Sequence, residues 1–189
     1  MFIIRVIDFM FFKVKTIRKQ LYIKYLTSKY KGQVQLKNTN FGNNFTLDIF
    51  AKKFKLQIGD SRFKISGTIN IRDNAELIIG DGVFFNSNCT ISCMNSIKIG
   101  DNTLLGSNVY IYDNNHNYKD SNSLIKNQGY SLLPVVIGEN CWIGANVIIL
   151  KGVSIGANSV IGAGVIVRNN IPENTLIYNK QNQSSRKIN

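Results

Sequence analysis

From Ile137 to Val167 every sixth residue is aliphatic: Ile137, Ile143, Ile149, Ile155, Ile161 and Val167. The same phase runs upstream through Ile79, Phe85 and Ile91, and again through Ile99, Leu105 and Ile111. Each hexad reads as a short parallel strand plus a corner. Three hexads make one triangular turn, and stacked turns bury the aliphatic column as one continuous core. The fourth position of these twelve hexads is Gly or Asn in eleven, with Met94 the exception. Those two residue types enter the left-handed backbone region most readily, which a repeated tight corner needs.

The pattern predicts an all-β chain, a parallel β-helix of about five to six triangular turns over residues 58–178. Ile58, Ile65 and Ile71 mark its first clear turn, and spacing stretches to eight residues before Ile79 and before Ile99. After Ile111 the spacing jumps to 26, which leaves an insertion at 117–136, rich in Asn, Ser, Lys and Tyr and closed by Pro134. Such insertions emerge on one edge of a solenoid and commonly carry function. Residues 1–57 read as a helical, then irregular, N-terminal cap with one imperfect turn around Phe41 and Leu47. Residues 179–189 read as a polar tail.

The formal net charge of +12 is uneven, since residues 1–31 hold eight Lys or Arg against the single Asp8. Ile3, Ile7, Met10, Val14, Ile17 and Leu21 form an apolar stripe at helical spacing beside those cations. Two readings stay open: a helix over the open end of the solenoid, or a helix on the anionic cytoplasmic face of a membrane. The apolar run at 1–12 is broken by Arg5 and Asp8, falls short of a membrane span, and lacks the order of a signal peptide. The hexads show no basic groove interleaved with aromatics, which argues against nucleic acid. Cys89 and Cys141 take an inward fifth position and read as small core residues.

Two positions break the repeat. His116 is the single histidine and stands where the insertion begins. Asn86 departs from glycine in the series Asn86, Gly106, Gly144, Gly162, the second position of each middle hexad. The hexads resemble those of the hexapeptide-repeat, left-handed β-helix acyltransferases. The stretch Asn108 to His116, with Pro134 to Trp142 after the loop, is similar to that family's signature around its catalytic base. The resemblance implies acetyl coenzyme A as co-substrate, no metal, and His116 as general base, the role histidine most often takes in proton transfer. It implies that Asn86 orients the acceptor or stabilises the oxyanion. It places Asp113 and Trp142 by the acceptor and Ala145, Ala163, Arg168 and Arg186 by the coenzyme. The chain departs from the family at Asn114, where many members carry a second histidine. It departs again at Asn179–Asn182, where a Gly-x-Pro-Ala type segment is usual.

The resemblance leans toward O-acetyltransferases of capsule or O-antigen, acting on a sugar or surface polysaccharide in the cytoplasm or on the inner membrane face. Galactoside or maltose acetyltransferases, amino-sugar N-acetyltransferases and antibiotic-modifying enzymes stay open. A zinc carbonic anhydrase on this fold needs several histidines. A non-catalytic structural β-solenoid would show a flat repeated face without a long insertion. A strand advances ~3.3 Å per residue, which puts the corners of Asn86 and His116 more than roughly ten ångströms apart. A shared site therefore calls for two subunits, and the family is trimeric, so a homotrimer is expected.

Overall fold

The computed structural model describes residues 20–180. Three parallel sheets form the sides of a solenoid of about six turns. The first face stacks Val34–Leu36, Lys55–Ile58, Glu76–Ile79, Ser96–Ile99, Val135–Ile137 and Ser154–Ile155. The second stacks Asn40–Asn43, Arg62–Ile65, Phe84–Phe85, Leu104–Leu105, Trp142–Ile143, Val160–Ile161 and Leu176–Ile177. The third stacks Thr46–Phe50, Thr68–Arg72, Thr90–Cys93, Tyr110–Tyr112, Ile148–Ile149 and Ile166–Val167.

The register puts like on like. Ile58, Ile79, Ile99, Ile137 and Ile155 form one inward column, and Ile69, Ile91, Ile111, Ile149 and Val167 another. All ten are buried. Nine of the twelve fourth positions take positive φ, among them Gly82, Asn88, Asn102, Asn146 and Gly164. The three that do not, Met94, Asn114 and Asn170, all follow the third face. There the chain departs from the hexad: eight residues separate Ile91 from Ile99, the hairpin follows Asp113, and only four residues separate Val167 from Ile171, which stacks on Ile155. Glycine is required on the second residue of many hexads for a different reason, because each turn rests on the next. A Cβ on Gly144 would lie 2.7 Å from the backbone nitrogen of Ala163.

The sequence reading errs at the N-terminal end. The solenoid begins at Val34, not 58, and its first turn buries Val34, Phe41 and Leu47. Ile65 is 44% exposed, and Phe63 fills the core in its place, stacked on Phe85 with ring centroids 4.3 Å apart. The corner from Ile58 to Phe63 is one residue shorter than a hexad, so aliphatic spacing alone misplaces the register. Residues 20–29 are helical and close this end through buried Leu26 and half-buried Ile23. Leu21, the one stripe residue within the described part, is 60% exposed, so the helix turns a different face inward. The stripe from Ile3 to Ile17 lies outside the described residues. Among them, no helix is long and apolar enough to cross a membrane.

Candidate functional site

The insertion is an ordered β-hairpin. Asn114–His116 pairs antiparallel with Tyr130–Leu132, and a 3-10 turn at Ile125–Asn127 closes the far side. The chain leaves the solenoid after Asp113 and rejoins it at Val135, three residues earlier at the first end than the spacing suggests. Asp113 anchors the departure. Its carboxylate is fully buried and accepts the backbone N–H of Met94 at 2.9 Å, the N–H of Asn95 at 2.7 Å and the Asn114 amide at 3.0 Å. The same Asn114 amide donates to the Ser92 carbonyl at 3.0 Å, and the Leu133 N–H donates to the Asp113 carbonyl at 2.9 Å. Asp113 was expected at the acceptor. The structure instead puts it beneath the surface, with its oxygens committed to the corner. Burial, aided by Asp113 alongside, pushes the neighbouring Cys93 thiol well above its usual range.

This anchored root carries His116 outward. Its ring lies against Tyr130, centroids 4.4 Å apart and planes tilted by 38°. His116 is exposed, and among the described residues neither ring nitrogen has a hydrogen-bond partner. The imidazole lines a cleft of about 820 Å³ whose lining residues carry polar groups, among them Asn115, Asn117, Gln128, Ser131 and two lysines, Lys119 and Lys151. A base without a competing partner, in a cleft of amides and hydroxyls, suits a hydroxylated molecule.

The other expected residues gather elsewhere. Asn86 sits at the corner between the second and third faces, half-buried. Its backbone N–H donates to Leu105 and its side-chain oxygen accepts the Ser87 N–H at 2.9 Å. Ala145 and Ala163 follow at the same corner, two and three turns on, each directly after a glycine against which the next part of the chain packs. Trp142 is 57% exposed on the outer side of the second face, between Leu104 and Val160. None of these four lines the His116 cleft. Arg168 leaves the third face at the corner nearer His116, away from the two alanines, and Arg186 lies outside the described residues. One solenoid thus carries the expected residues as two separate groups on different corners.

Sequence reasoning missed Tyr130 and Lys151. Tyr130 meets His116 only through the hairpin register, which has no local signal. Lys151 did leave one: it is the only cation in the third position of the twelve hexads, one turn after the insertion departs.

A triangular parallel solenoid with an inserted hairpin bearing one histidine defines a hexapeptide-repeat protein. Comparison with known families agrees: a family described as "Hexapeptide repeat of succinyl-transferase" matches residues 76–113 and 134–168. The chain belongs to the hexapeptide-repeat acyltransferase family. WbbJ of Escherichia coli (strain K12), named as a candidate lipopolysaccharide biosynthesis O-acetyl transferase, is 32% identical over 73% of this chain and 66% of its own length. A galactoside O-acetyltransferase of the same organism is 40% identical over 52% of this chain and 47% of its own. A hexapeptide-repeat acetyltransferase of Vibrio cholerae O1 biovar eltor, solved with acetyl coenzyme A, superposes with a TM-score of 0.54 at 26% identity. That match covers 80% of this chain and 69% of the other. The chain spans from about a third to two thirds of the length of the curated relatives it matches, 32%, 52% and 66% in three of them.

Proposed function

We propose that this protein transfers an acetyl group from acetyl coenzyme A to a hydroxyl of a sugar or bacterial surface polysaccharide, of the capsule or O-antigen kind. The observation that carries the proposal is His116, unpartnered among the described residues and held on an anchored hairpin over a polar cleft. The relatives add support, one named for lipopolysaccharide and another for galactoside O-acetylation. Acetyl coenzyme A supplies the activated acyl thioester. His116 removes the acceptor's proton as its oxygen attacks, and later returns that proton to the departing sulfur. The small side chains of half-buried Ala145 and exposed Ala163 leave that corner open to a slender pantetheine arm.

The half-sites join in a homotrimer. Asn86 of one subunit and His116 of the next would then face one acceptor, since the two stand on different corners of one chain. The outer side of the second face supports this packing. Half-buried Phe84 and Val160 and exposed Leu104, Trp142 and Leu176 align in register as one apolar stripe. The enzyme works in the cytoplasm, and residues 1–31, with their excess of cations, make a peripheral contact with the inner membrane face.

The test is an acetyl-coenzyme-A consumption assay over capsular and O-antigen fragments, with the ester positions of the products determined. Free thiol released without any esterified saccharide would overturn the proposal. For assembly, Asn86→Ala and His116→Ala chains mixed into trimers should regain part of the activity that each lacks alone. A fully active monomer in sedimentation would sink the shared site.

A further inference from the structure

The cleft around His116 holds more positive charge than a neutral sugar needs. Lys119 comes from the insertion and Lys151 from the solenoid corner one turn above Asp113. Among the described residues neither ammonium has an ion pair or hydrogen bond. The ion pairs found there, Lys37–Asp81 and the two lysines on Glu76, all lie elsewhere. The single carboxylate lining the cleft, Asp120, is occupied locally. It accepts the Asn122 N–H at 2.9 Å and a bond from Ser123, and these hold its carboxyl below the usual range.

The backbone that carries Lys151 is tied to the end of the hairpin that carries His116. The next residue, Gly152, takes a φ of +79° and its N–H donates to the Leu133 carbonyl at 3.3 Å. The Leu133 side chain lies 3.0 Å from where a Cβ on Gly152 would sit, so a larger residue there would be strained by the positive φ and would have to push that leucine aside. The corner bearing Lys151 and the hairpin bearing His116 are therefore stapled together. A cation rooted beside the base and lining the same cleft lets a site read an anionic group near the reacting hydroxyl.

We propose that the acceptor is an anionic saccharide, and that Lys151, assisted by Lys119, reads its carboxylate or phosphate while His116 takes the hydroxyl proton. This rests on the acetyltransferase reading and narrows its substrate class. Other anionic oxygens could come from the coenzyme's own phosphates, and the test separates the two sources.

The experiment measures kcat/KM for digalacturonic acid, galactose 6-phosphate and neutral galactobiose, using wild type, Lys151→Met and Lys151→Arg with a Lys119→Met pair. Wild type should favour an anionic acceptor over galactobiose. Lys151→Met should cut that ratio by about 10- to 100-fold, the range for losing a hydrogen bond to a charged group. Lys151→Arg should restore most of it. An unchanged ratio overturns the proposal. So does a defect in Lys151→Met that appears only as a raised KM for acetyl coenzyme A and vanishes with the 3′-dephospho coenzyme, because the lysine then serves the coenzyme. Calorimetric binding of digalacturonic acid to the same proteins reads the contact without turnover. Lys151-dependent binding with no transfer to any acceptor would refute the catalytic reading alone, and absence of such binding would refute this one.

Discussion

Replacing Asp113 with alanine should unfold the corner from which the hairpin bearing His116 hangs. Three donors lose a charged acceptor: the backbone N–H groups of Met94 and Asn95 and the side chain of Asn114. A bond of this kind contributes about 1.5–3 kcal/mol. Two effects reduce the sum. The substitution removes a buried charge together with its desolvation cost, and the freed donors are half-buried, so water recovers part of their bonding. The net loss should be about 2–5 kcal/mol. For a chain of this size each kcal/mol moves Tm by about 2–4 °C, so melting should fall by roughly 5–20 °C. Turnover should fall with it, because His116 lies only three residues beyond the lost anchor. Asp113→Asn keeps the shape and one acceptor oxygen, and should lose about half as much stability. Differential scanning calorimetry beside steady-state kinetics makes the measurement. An Asp113→Ala protein that melts like wild type and differs only in a raised acceptor KM would refute the reasoning, and would return Asp113 to the acceptor site.

Three further outcomes follow from the same geometry. Ile161→Ala empties a fully buried column position between Ile143 and Ile177 and should cost roughly 2–5 kcal/mol in a urea melt; a loss below 1 kcal/mol would mean that the turns collapse around the gap. Ala163→Tyr puts bulk on an exposed corner outside the core, so acetyl-coenzyme-A affinity by calorimetry should drop while Tm barely moves, and wild-type affinity would place the coenzyme elsewhere. Glu76 bridges Lys55 at 2.8 Å and Lys98 at 3.6 Å, and the hydrogen bond from Lys55, then the charge of both lysines, holds its carboxyl below the ordinary value of 4.5 against desolvation. A lowered folded-state pKa gives stability that is present above 4.5 and lost as pH falls through the folded value, so the advantage of wild type over Glu76→Gln, about 0.2–1 kcal/mol, should vanish in acid; a gap constant down to pH 2 would contradict the pairing.

The regular turns were legible because their core is built from one residue class at one spacing. Ile79 to Val167 could be threaded by eye, with Gly or Asn marking the corners. The first turns were not. Phe41, Phe54 and Phe63 fill the core there, and corners vary by a residue, so a search for aliphatic hexads finds Ile65 in place of Phe63. The site divided in the same way. His116 announced itself by being alone at a break in the period, and Asn86 by interrupting a glycine ladder. Asp113 was misjudged because a carboxylate close in sequence to the single histidine has two uses, and only three-dimensional placement separates a buried corner from an open cleft. Tyr130 is brought to His116 by the hairpin register and Lys151 by the stacking of the next solenoid turn, and both depend on contacts fourteen or more residues apart.

The central claim is that His116 is the base of an acetyl transfer, and one measurement bears on it most directly. Thiol release from acetyl coenzyme A should be followed for wild type and His116→Ala with a saccharide acceptor, beside a melting curve for each. His116 is exposed and contributes nothing to the core, so the two melts should coincide. The variant's kcat should fall by about 10²- to 10⁴-fold, the usual consequence of losing a general base. Equal turnover with coincident melts would contradict the account.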